Sequence, residues 1–294
     1  MLIGAIEAGG TKFVCAIGTD RGAILKKAII PTQTPAKTMQ AVLQFFTSDF
    51  RFKKIRALGI ASFGPLDLNP KSDNYGQIVV TPKLAWRKFN YIHWFRKHLS
   101  LKIALNTDVN GAAIGELEWG AAKGLESFLY MTVGTGIGVG GMVAGHFIMG
   151  LSHSEMGHIF IPIHPKDPFK GVCPIHKNCL EGLASGPSMM KRWRVKSALD
   201  LPKNHFGWEL ESYYLGAAVA NYILCFSPQR IIIGGGVMKN PHLIGMVRKN
   251  VLKFLNGYLH QEEILKHIDR YIVLPKLKGD AGVLGAIALA KNIL

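Results

Sequence analysis

One pattern is written twice in this chain, and it narrows the possible folds more than any other feature. Residues 2–18 read LIGAIEAGGTKFVCAIG, and residues 128–145 read FLYMTVGTGIGVGGMVAG. Each is an apolar run, a glycine–threonine turn and a second apolar run. Short runs of this kind are buried strands, and glycine between them marks a tight hairpin. Two copies of one supersecondary unit suggest two related domains facing each other. The remaining segments fit the same plan. A third strand is expected over Ile24–Ile30, a helix over Lys37–Phe46, and a buried strand over Ile55–Gly64 that ends in a Gly-Pro turn. Lys102–Asn110 reads as a strand, with helical spacing from Asn110 to Gly120. RIIIGGGVM, Arg230–Met238, is a strand running into three glycines and a helix, and the small-residue tail GDAGVLGAIALAKNIL is a helix that closes the fold. The sum is an α/β protein with mixed sheets and helical crossovers. The expected division is 1–117, completed by the C-terminal helix 282–294, and 118–281. No linker separates these halves, so a cleft between them is expected within one compact fold.

Composition removes several alternatives. With 294 residues, 48% hydrophobic and 18% charged, the chain can bury a large core and is not disordered. No apolar run reaches the roughly 18 residues that a membrane-spanning helix needs. Tyr213–Phe226 comes nearest, and it ends at Ser227-Pro228. The start, MLIGAIEAGGTK, has no secretory signature, so a cytoplasmic location is expected. The net charge of +16 is spread over Arg51–Arg56, Arg87–Lys97, Lys191–Lys196 and Lys239–Lys253. These form no basic arm, so the reading is a solvated surface, with neither nucleic acid nor membrane as partner. Cys15 and Cys225 sit in apolar surroundings and are expected to be buried free thiols.

Three glycine sites carry chemistry. Glu7–Lys12, EAGGTK, offers backbone amides that can approach an anion, with the Thr11 hydroxyl and the Lys12 charge beside Gly9 and Gly10. It does not match the Walker pattern, and alone it would pass for an ordinary turn. Gly134, Thr135 and Gly136 open GTGIGVGG, which superficially meets a dinucleotide fingerprint. That fingerprint requires a helix directly after the glycines, whereas a strand continues here, so a phosphate-facing hairpin fits better. Gly234, Gly235 and Gly236 would let a base or ribose lie against backbone. Three such sites, each after an apolar strand, point to a nucleotide triphosphate. In NTDVN, Asp108 is expected at the end of a buried strand, just before a helix, as either a helix N-cap or a general base for phosphoryl transfer.

His158, Cys173, His176 and Cys179 follow H-x14-C-x2-H-x2-C, a ligand set that suits tetrahedral zinc within a proline-rich loop. With all four positions filled by protein, the zinc would be structural. His164 is a competing ligand, and His153 lies just upstream. Glu155 and Glu181 flank the knuckle. Each is either a sugar-hydroxyl acceptor or an ordinary surface or helix-start acid.

Taken together, IEAGGTK, TDVNGAAIGE, TVGTGIGVGGMVAG, HSEMGHI and GVCPIHKNCLEGLASGP resemble the motifs of the ROK family of sugar kinases, within it the bacterial fructokinase-like group. The resemblance spans nearly the whole chain. It implies an actin/hexokinase-like (ribonuclease H-like) ATPase fold, with two α/β domains closing over a sugar and Mg-ATP. It implies an ATP-dependent hexose kinase, most directly a fructokinase acting at O6 of D-fructose. Asp108 takes the place of the catalytic base, and Glu155, His158 and Glu181 match the sugar contacts, with His158 also a zinc ligand. Gly10, Thr11 and Lys12, with Gly134 to Gly136, match the phosphate loops, and Gly234 to Gly236 the adenosine side. The cofactors implied are Mg2+ with ATP and structural Zn2+, and family members are often homodimers. Three positions depart from the pattern. Glu7, with an expected place near Mg2+, stands where an Asp is usual. Thr107 stands where glucose kinases of the family carry a sugar-binding Asn, and His176 where many members have a third cysteine. The alternatives are a glucose, mannose or N-acylhexosamine kinase on the same scaffold, or a sugar-sensing protein without turnover.

Overall fold

In the computed structural model, residues 1–81 and 83–294 are described. Strands are β1 (Leu2–Ala8), β2 (Lys12–Thr19), β3 (Ile24–Pro31), β4 (Ile55–Ser62), β5 (Lys102–Thr107), β6 (Phe128–Val133), β7 (Ile137–Val143), β8 (His146–Phe147), β9 (Arg230–Gly234) and β10 (Ile272–Val273). The helices are α1 (Pro35–Thr47), α2 (Tyr91–His98), α3 (Asp108–Trp119), α4 (Leu180–Ala184), α5 (Gly186–Trp193), α6 (Phe206–Phe226), α7 (Leu243–Leu255), α8 (Glu262–Leu265), α9 (Ile268–Tyr271) and α10 (Ala281–Lys291). Two compact units divide the chain. One comprises Met1–Lys123, Met149–His153 and Lys276–Leu294; the other comprises Gly124–Ile148 and Ser154–Pro275.

The first unit holds a five-stranded sheet ordered β3-β2-β1-β4-β5. β2 lies antiparallel to both β1 and β3, while β4 lies parallel to both β1 and β5. The parallel strands are nearly continuous apolar runs because both faces are covered. Phe13, Phe46, Trp86, Tyr91 and Phe95 are among its fully or nearly fully buried side chains. Helix α10 is buried all along Ala281–Ala290, as expected of a helix that is apolar all round. Burial of each of its Val, Leu and Ile side chains contributes roughly 2 kcal/mol. It approaches α3 so closely that a Cβ on Gly285 would lie 1.7 Å from the Gly111 carbonyl oxygen. The small residues of the tail are thus a packing requirement.

The second unit repeats the plan, with strand order β10-β9-β6-β7-β8. β7 is antiparallel to β6 and β8, and β9 is parallel to β6 and β10. Number for number, β6 to β10 reproduce the order and senses of β1 to β5. The duplicated hairpin of the sequence is therefore the visible part of a duplicated sheet. Helix α6 runs through this core and packs on α7. Its last turn faces outward: Leu224 and Cys225 are exposed while Tyr222 and Ile223 are buried. Cys225 is therefore an exposed thiol, contrary to the expectation from its apolar neighbours. Cys15, on β2, is buried. Among the described residues, no helix is long and apolar enough to cross a membrane.

Candidate active site

In a sheet with parallel strands, the carboxyl ends share one edge, where ligands characteristically bind. In the first unit β1 and β5 both run parallel to β4, so the turn after β1 and the helix after β5 emerge together. The turn is tightly held. Gly9 N donates to Lys12 O at 3.0 Å, Thr32 N donates to Thr11 O at 3.0 Å, and Thr32 Oγ1 donates to Gly9 O at 2.8 Å. Asp108 is not the end of the strand but the first residue of α3. The cap is Thr107, whose Oγ1 accepts from Asn110 N at 3.3 Å. Relieved of capping, the Asp108 carboxylate accepts from Val109 N at 2.9 Å and sits at a helix N-terminus, where the backbone dipole favours an anion. Asn106 supports the strand–helix junction, its Oδ1 accepting from Thr107 N at 2.8 Å and from Asn110 Nδ2 at 3.0 Å. Glu7 lies on β1 with its carboxyl against Gly282 of α10. Burial, and then the charge of Asp108, push that carboxyl up to about 7, with Lys12 opposing them.

The second unit has an equivalent edge. β6 ends at Gly134-Thr135-Gly136 and its parallel neighbour β9 at Gly234-Gly235-Gly236. Gly134 N donates to Gly136 O at 2.9 Å, and Gly134 O accepts from Gly186 N at the start of α5 at 2.8 Å. Gly235 has φ +99°, and a Cβ there would lie 2.3 Å from Val133 O, so only glycine lets the two loops lie side by side. Glu181, in the first turn of α4, accepts from Ile137 N at 3.0 Å. A Cβ on Gly136 would lie 2.6 Å from Glu181 Oε2. The carboxylate is thus seated on the second glycine hairpin. Glu155 precedes a 3-10 turn, Met156–His158, that is fixed from two sides: His158 N donates to Glu155 O at 2.9 Å, and Tyr222 Oη donates to Met156 O at 2.6 Å.

His158, Cys173, His176 and Cys179 converge, with ligand atoms all within 4.8 Å of one another. His158 Nδ1 lies 3.4 Å from Cys179 Sγ and 3.9 Å from Cys173 Sγ, and Cys173 Sγ lies 3.8 Å from His176 Nδ1. Tetrahedral zinc with bonds of about 2.0–2.3 Å sets its ligand atoms about 3.3–3.8 Å apart, and this donor set comes within about 1 Å of that spacing. Burial first, with the Cys173 thiol and Glu181 adding to it, pushes Cys179 up to about 11. A bound cation would reverse that by stabilising the thiolate. His164 is not in the group; it meets the Tyr213 ring edge-on at 4.8 Å. His153 is buried in the first unit, its Nε2 accepting from Leu66 N at 3.0 Å.

Arg192 carried no motif signal, yet it braces this loop. Its Nη2 donates to Leu183 O at 2.7 Å and pairs with Asp167 at 3.1 Å, and its guanidinium lies 4.4 Å from the Phe169 ring centre. Both charged side chains are almost fully buried. An Arg in the last turn of α5 and an Asp in a proline-rich loop offer no sequence relationship that reveals the pair.

The ROK family description matches residues 3–293. The chain belongs to the ROK family. A Bacillus subtilis protein provisionally named fructokinase is 46% identical over 293 residues, covering 100% of this chain and 96% of that protein. A Pediococcus pentosaceus fructokinase is 41% identical, covering 100% and 99%. Among solved structures, a ROK hexokinase from Thermus thermophilus superposes with a TM-score of 0.78 at 25% identity, covering 100% and 99%. The ROK fold accounts for the duplicated sheet, and the chain is an α/β protein of the actin/hexokinase-like class.

Proposed function

We propose that this ROK chain is an ATP-dependent kinase that phosphorylates O6 of D-fructose. The observation that carries the reading is its full-length identity of about two residues in five or more with proteins named as fructokinases. The intact glycine loops and Asp108 agree with turnover. Asp108 accepts the O6 proton as O6 attacks the γ-phosphorus; the new O6–P bond forms as the bond to the ADP oxygen breaks. Glu155, His158 and Glu181 hold the sugar hydroxyls. Residues Gly9 to Lys12 and Gly134 to Gly136 supply amide, hydroxyl and ammonium donors to phosphate, and Gly234 to Gly236 face the adenosine. Mg2+ would neutralise phosphate charge when bound, with Glu7 as the carboxylate to hold it. Zinc on His158, Cys173, His176 and Cys179 is structural. The protein is a cytoplasmic homodimer, and the two units correspond to its two catalytic domains.

A coupled ADP-release assay across a hexose panel tests the reading. Fructose is expected to give the highest kcat/KM. Preference for glucose, mannose or an N-acylhexosamine would replace the substrate, and absence of turnover on every sugar would leave a sensor in place of an enzyme.

A further inference from the structure

A second cation reaches the first glycine turn from a part of the chain that no motif singled out. A Cβ placed on Gly10 would lie 3.1 Å from Cε of Lys83. The stem of Lys83 therefore lies over the turn, with its ammonium one bond further on. The residue is half-buried, and among the described residues no hydrogen bond or ion pair holds that ammonium. Three lysines of the same unit have carboxylate partners: Lys26 with Asp49, Lys27 with Asp280 and Lys291 with Glu118.

The backbone that presents Lys83 is fixed to the turn through a chain of hydrogen bonds. Lys83 N donates to Oγ1 of the buried Thr81 at 3.3 Å, and Lys83 O accepts from Trp86 N at 2.8 Å. Trp86 is buried among Phe13, Phe63, Phe89 and Tyr91, and its Nε1 donates to Gln33 O at 2.8 Å. Gln33 follows Thr32, the residue that clamps Gly9 and Thr11. Turn, clamp, tryptophan and the lysine backbone are thus linked by hydrogen bonds. A point charge held over a glycine turn, with no carboxylate to neutralise it, is an arrangement for a phosphate.

We propose that Lys83 is a phosphate-contacting catalytic residue that adds its ammonium to the anion cradle of Gly9–Lys12. Resting on the kinase reading, it would stabilise charge on the phosphoryl oxygens as the bond to ADP breaks, without gaining or losing a proton. A side chain at position 10 would crowd the lysine stem.

The test compares wild type, Lys83→Met and Lys83→Arg. Lys83→Met is expected to lower kcat about 100-fold, as loss of one preorganised donor does, with KM for fructose within twofold of wild type. Lys83→Arg should recover at least tenfold of that loss. Calorimetric titration with Mg-ATP, and separately with inorganic tripolyphosphate, is done without sugar, so it reads the phosphate contact whatever the sugar turns out to be. Lys83→Met should bind both at least tenfold more weakly. Equal affinities and kcat within twofold of wild type would overturn the proposal. So would equal losses in Met and Arg variants accompanied by a lowered melting temperature, which would mark a packing role. A wild type that binds Mg-ATP but leaves fructose untouched would fail the substrate reading alone.

Discussion

At the residue scale, the candidate site depends on two carboxylates of unlike environment on one sheet edge. Asp108 sits at a helix start with a backbone donor, and the half-buried Glu7 lies close enough for their charges to oppose each other. Because burial raises Glu7 from 4.5 to about 7, the folded chain holds that proton more tightly than the unfolded chain. Its contribution to stability is fully present below about pH 4.5 and is lost as pH rises through about 7. In metal-free protein, Glu7→Gln should therefore gain melting temperature relative to wild type between pH 5 and pH 8. A difference that stays constant over that range would place the Glu7 carboxyl outside the buried site. Asp108 was legible as a special residue, but its exact local role was not. Strand and helix abut without a loop at Thr107, and either Thr or Asp could have capped. Only the Thr107 Oγ1 bond to Asn110 N decides between them.

At the element scale, the stretch from Glu155 to Glu181 is a loop stapled in several places. Leu180 N donates to Ile159 O at 2.9 Å, and Val172 N donates to Gly182 O at 2.9 Å, so both limbs of the knuckle are laced to α4. The clustering of these four residues was readable because a metal site must gather Cys and His at short spacing. His164 has the same chemistry, and its exclusion follows only from its packing on Tyr213. Arg192 and Lys83 were invisible for a related reason: each acts on a partner distant in sequence, Asp167 and Gly10, and neither belongs to a local pattern. If metal holds the loop, chelation or Cys173→Ser should lower melting temperature and raise the Kd for sugar together, the latter by tenfold or more, since Glu155 and Glu181 share its scaffold. Unchanged sugar affinity in protein freed of metal would separate the knuckle from the sugar site.

At the scale of the whole molecule, the twofold hairpin of the sequence proved to be the first half of each of two sheets with one strand order. The hairpins were legible because antiparallel neighbours lie close in sequence. The parallel partners β4, β5, β9 and β10 add long-range pairings whose order no local periodicity encodes, and the return of 149–153 to the first unit is equally non-local. Cys225 shows the same limit in small: an apolar helix in sequence can still turn its last residues outward. The duplicated architecture gives each unit one edge of strand carboxyl ends, and the proposed chemistry assigns the base to the first and the sugar acids to the second. The most direct test of that assignment is single-turnover phosphoryl transfer from ATP to fructose by Asp108→Asn, with fructose binding measured on the same sample. The account predicts a rate lowered by about 100-fold to 10,000-fold with fructose affinity within a few-fold of wild type. Transfer within tenfold of the wild-type rate would contradict it.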